Sequence, residues 1–93
     1  MEENNSKKIE KVIKALNNLL QEKNERYGNA ALEPLEIFST LPAVSGILIR
    51  LDDKLSRIKN SPKLRKNDIV DIMGYLVLLC VNKEWDDFSD LID

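Results

Sequence analysis

Three groups of side chains have the types and spacing for chemistry. Asp68 and Asp71 stand three residues apart, so on a helix both carboxylates share a face and can hold one Mg²⁺ through oxygen. Arg50, Lys54 and Arg57 recur at intervals of four and three, which makes a basic helical stripe suited to phosphate oxygens. Asp53 lies beside Arg50 and Arg57, whereas Asp52 falls on the other flank near Ser56 and Lys59. Tyr27 sits in the polar run Asn24-Glu25-Arg26-Tyr27-Gly28-Asn29, where its ring can stack on a base or simply pack a helix end. Glu33 and Glu36 repeat the i,i+3 carboxylate spacing and are possible further ligands.

Each group has a plainer reading. The basic stripe can be a solvated flank whose local ion pairs are each worth about 0 to 1 kcal/mol. Asp68 can be a helix N-cap. Asp71 is the one charge in a segment, Ile69 to Val81, that is apolar almost all the way round. An unpaired carboxylate there is costly, so it requires a cation, a metal or several donors. Either it forms a buried ion pair with Lys54 or Arg57 that fixes helix register, or it belongs to a ligand site.

The elements that must position these groups are helices. Ile9, Val12, Ile13, Leu16, Leu19 and Leu20 define an amphipathic helix from about Ser6, a candidate N-cap, to Arg26, ended by Gly28. Ala30 to Pro42 is a connector in which Pro34 starts one short helical turn anchored by Leu35, Ile37 and Phe38. Val44, Ile47, Leu48, Leu51, Leu55 and Ile58 give a second helix over Ala43 to Asn60, stopped by Ser61-Pro62. A third starts near Asn67 or Asp68 and runs to about Val81. A short fourth, Glu84 to Ile92, would bring Trp85, Phe88 and Leu91 to one side as core residues. No strand alternation or repeat interrupts this order. The expected fold is all-α, one domain over residues 1–93 with 1–5 disordered: three main helices plus a short C-terminal one. An all-round apolar third helix is central to such a bundle or is buried by a second subunit, so a homo-oligomer is expected.

Composition narrows the chemistry. The chain has 93 residues, 14 basic and 16 acidic, which argues against a broad attraction to nucleic acid or an anionic membrane. There is no histidine and one cysteine, Cys80, so a Cys/His zinc site and an internal disulfide are excluded. Cys80 itself reads as a small inert hydrophobe on an apolar face. The polar start, MEENNSKK, is unlike a signal peptide, and the longest apolar run falls short of the roughly 20 residues that span a bilayer. A cytoplasmic location is expected.

Taken together, Glu22 to Asn29, Pro34 to Phe38, Arg50 to Arg57 and Asp71 to Leu76 resemble a family of small phage and prophage proteins, the nucleotide-modification-associated domain family. The likeness rests on the order of a K-N-x-x-Y-G element, an R-x-D-D-K-x-x-R element and a D-x-x-G-Y element. The family is similar to the all-α MazG-like nucleoside triphosphate pyrophosphohydrolases, which use Mg²⁺ held by acidic helix motifs. The resemblance implies a nucleotide site at a bundle or subunit interface, with Asp53, Lys54, Arg57 and Asp71 converging, Asn24, Tyr27 and Gly28 near base or phosphate, and Tyr75 beside Asp71. It also implies a host cytoplasm during infection or lysogeny. This chain lacks the dense Glu-Glu-x-x-Glu and Glu-x-x-Asp clusters of those enzymes. Where relatives are expected to carry an acidic pair before the third helix, it has Lys66 and Asn67. The expected function is therefore phage-type binding of a nucleotide or nucleotide-derived immune signal without turnover, as in counter-defence. The alternatives are a Mg²⁺-dependent pyrophosphohydrolase, with Asp53, Asp68 and Asp71 as ligands, and a helical protein-interaction module.

Overall fold

The computed structural model describes residues 4–27 and 43–92, with the backbone alone at Tyr27 and Ala43. These residues form three helices, α1 (Asn5–Tyr27), α2 (Ala43–Asn60) and α3 (Lys66–Lys83), followed by a single 3-10 turn, Ser89–Leu91. The described residues contain no strand, and the fold is all-α. The expected turn at Pro34 and the helix stop at Gly28 lie outside the described residues, as do residues 1–3.

Helix α1 starts one residue earlier than its apolar stripe suggests. Asn4, rather than Ser6, is the cap: its Oδ1 accepts the Lys7 N–H at 3.1 Å, the usual pairing of an N-cap side chain with the third helical residue. Helix α2 has the expected bounds. Past its end, Ser61 Oγ accepts the Lys63 N–H at 3.3 Å and donates to the Lys63 carbonyl at 2.7 Å, which shapes the turn at Pro62.

Helix α3 departs from expectation at both ends. It begins at Lys66 after an extended Arg65 with no side-chain cap, so neither Asn67 nor Asp68 caps it. Asp68 lies inside the first turn, with its carboxylate turned to α2. At the other end Glu84 takes a left-handed conformation, φ 60°, and the N–H groups of Trp85 and Glu84 bond to the carbonyls of Cys80 (2.9 Å) and Val81 (3.1 Å). This double closure of a helix end usually employs glycine. It turns the chain away, so the expected fourth helix does not form. Asp87 Oδ1 then accepts the Ser89 N–H at 2.9 Å and nucleates one 3-10 turn only.

Helix α3 is the middle element. It packs against α2 and, more sparingly, α1, while α1 and α2 share no contact among the described residues. The α2 side of the core is Ile47 and Leu51, 2% and 8% exposed. They stand four residues apart on one face. On the α1 side the approach is closest at Gly74: a Cβ there would stand 3.1 Å from Leu20 Cδ2. Other apolar residues, Leu16, Leu20, Ile72 and Leu79 among them, are half-buried, and much of the remaining apolar surface is open. Ile9, Val12 and Ile13 of α1, Leu48 and Leu55 of α2, and Leu76, Val77 and Val81 of α3 are all exposed. Trp85, Phe88 and Leu91 are exposed as well, contrary to their expected place in a core. The radius of gyration is 15.5 Å, against about 12 Å for a compact chain of this length.

Candidate functional site

The expected basic stripe of α2 divides in two. Lys54 lies seven residues after Ile47 and three after Leu51, which places it on the face that packs against α3 rather than on its border. Its side chain is 14% exposed. Arg50 and Arg57 remain on the surface, and Arg57 pairs with Asp53 of its own helix at 3.5 Å, both ends exposed.

Burying an ammonium requires partners, and α3 supplies two. Lys54 Nζ lies 2.9 Å from Asp71 Oδ2 and 3.8 Å from Asp68 Oδ1. The i,i+3 spacing of the two aspartates points both at the same lysine, as it would point both at a metal. Asp68 is the only buried charged residue among those described, 4% exposed, and Asp71 is partly exposed. A second lysine completes the cluster. Lys23 of α1 reaches the other Asp71 oxygen, Oδ1, at 3.7 Å, so Asp71 joins all three helices. Two carboxylates and two ammonium groups sum to zero, and no buried side-chain nitrogen or oxygen among the described residues lacks a partner.

This cluster does not fit the expected metal. Asp68 and Asp71 already hold Lys54, and a Mg²⁺ shared between them would displace or repel a buried ammonium. The described residues contain no group of three or more acidic, Cys or His side chains able to hold a metal ion. Glu33 and Glu36 lie outside the described residues.

The other expected site residues are scattered in placement. Asn24 is exposed on α1, next to the Lys23 that does enter the cluster. Tyr75 is half-buried on α3, one residue past Gly74. Tyr27 closes α1 with its side chain outside the described set, and Gly28 lies outside it altogether. Lys23 is the member that sequence reasoning missed, since its partner is fixed by how α1 crosses α3.

A second concentration of charge stands at the α2–α3 junction. Arg57 and Lys59 in the last turn of α2, Lys63 and Arg65 in the connection and Lys66 at the start of α3 are all exposed. Cations at a helix N-terminus oppose the helix dipole, and here no side chain caps the free amides. The one acid in that turn, Asp68, is spent on Lys54. The junction therefore gathers exposed cations, of which Arg57 also pairs with Asp53, beside a helix start without a side-chain cap, an arrangement that a phosphate or other anion would relieve.

No family model matches the chain, and no curated protein or solved structure does.

Proposed function

We propose that this protein binds a nucleotide or nucleotide-derived signal through its phosphates and does not turn it over. The observation that carries the reading is the exposed cationic junction of Arg57, Lys63, Arg65 and Lys66 around the uncapped start of α3. Arg50, two turns before Arg57 and also exposed, extends the same charge along α2. Lys54 and Asp71 act as positioning residues: their pairing fixes the register of α2 on α3, and hence of Arg50 and Arg57 relative to the junction.

Binding is favoured over hydrolysis because Asp68 and Asp71 are engaged by Lys54. Phosphoryl chemistry of the pyrophosphohydrolase type needs carboxylates free to hold Mg²⁺. The resemblance to the phage family extends the proposal to a setting: sequestering a nucleotide immune signal in the host cytoplasm. No described helix is long and apolar enough to cross a membrane. A thermal-shift screen with cyclic and linear nucleotides tests the reading, because a ligand that binds only the folded state raises Tm by mass action. A dose-dependent rise that is lost in Lys66→Glu supports it. No shift with any nucleotide overturns it.

A further inference from the structure

We propose that a second copy of this chain covers the open apolar surface, each copy laying the N-terminal half of α1 into a groove at the C-terminal end of α3 in the other. The inference does not depend on nucleotide binding. Its first support is register. Lys23 faces Asp71 and Leu20 faces Gly74, so α1 and α3 run antiparallel. Ile13 lies ten residues before Lys23 and Val81 ten after Asp71, so each is about 15 Å along its helix toward the same end of the molecule. Despite that shared end the two helices do not cover each other there: Ile13 is 59% and Val81 56% exposed.

The second support is complementarity. On α1 the stripe Ile9, Val12, Ile13 continues the face whose later residues, Leu16 and Leu20, are half-buried. Lys8 flanks the stripe, and residues 7–14 carry four lysines against one glutamate. The groove is lined by Leu76, Val77, Val81, Trp85 and Phe88 and rimmed by Glu84 and Asp86. Residues 83–90 carry four acids against one lysine. A basic apolar stripe and an acidic apolar groove on one chain, both at one end, match across a two-fold axis. There the stripe of each copy meets the groove of the other, the self-complementary contact of the commonest oligomers. Pairing stripe with stripe would instead oppose lysines, and groove with groove would oppose acids.

Light scattering with size-exclusion chromatography on the full chain tests this. The expected mass is twice the 10.7 kDa of one chain, with dissociation promoted by salt because the rims are charged. Ile13→Asp and Val81→Asp alter exposed side chains, so each should keep the helical circular dichroism and weaken the dimer at least tenfold. Mixing the two variants is decisive. One stripe–groove contact of the mixed dimer joins both substitutions, but the other is fully native, so the mixture should dimerise more tightly than either variant alone. A monomer at all concentrations, growth beyond the dimer, indifference to both variants or a mixture no tighter than its parents would overturn the proposal.

Discussion

Lys54 Nζ and Asp71 Oδ2 stand 2.9 Å apart across the α2–α3 interface, the shortest ion pair between helices among the described residues. Asp71 meets Lys23 of α1 through its other oxygen. One carboxylate thus ties three helices, two of which, α1 and α2, share no contact among the described residues. Such a cluster contributes less to net stability than to a single register, because desolvation offsets most of the Coulombic attraction. Breaking it is a different matter.

Replacing Lys54 by methionine leaves Asp68 buried and unpaired. We expect Lys54→Met to cost about 3 kcal/mol in urea unfolding at neutral pH. Asp68→Asn in that background should restore about 1 to 2 kcal/mol, since it removes the stranded charge. Additive costs in this double-mutant cycle would show that the two groups do not interact.

Gly74 sets how closely α1 approaches α3. Alanine there gains about 1 kcal/mol of helix propensity, yet its Cβ would stand 3.1 Å from Leu20 Cδ2. Gly74→Ala should accordingly be near neutral, as the end of the Leu20 side chain gives way. Gly74→Leu should destabilise by about 1 to 3 kcal/mol through overpacking. A stable Gly74→Leu variant with α1 still docked, judged by hydrogen exchange of α1 amides, would contradict this account of the contact.

The C-terminal turn has a pH signature. Asp87 accepts the backbone N–H of Ser89, and secondarily its hydroxyl, which hold the carboxyl below its usual 3.8. A folded value depressed below the unfolded one gives stability that is present above the ordinary carboxylate range and lost as pH falls through the folded value. The Ser89 amide proton should titrate in NMR with a midpoint below 3.8, and a midpoint at or above it would exclude the bond. Asp87→Ala should fray residues 89–91 at neutral pH while leaving α3 intact.

Helices α1 and α2 were legible in sequence because each carries a periodic apolar face, and α3 because its apolar run is of helix length; α2 has the expected bounds because Ser61-Pro62 stops it locally. Ends decided by tertiary or atypical chemistry were not. Asp68 has an N-cap side chain but turns to Lys54, a partner from another helix. Glu84 closes α3 in a conformation for which the local signal is glycine, so the segment after it looks like further helix. The spacing Ile47, Leu51, Lys54, Ile58 did contain the clue that Lys54 faces inward, since a lysine at that position interrupts an apolar face. The Lys23 contact had no such clue, because it depends on where α1 crosses α3.

The central claim, phosphate binding without turnover, is tested most directly by calorimetry with a panel of cyclic and linear nucleotides in Mg²⁺, with pyrophosphate release followed in the same samples. The account predicts saturable binding to at least one nucleotide, weakened at least tenfold in Arg57→Ala and in Lys66→Glu, with no pyrophosphate formed. Heat of binding from no nucleotide, or pyrophosphate release that disappears in Asp71→Asn, would contradict it.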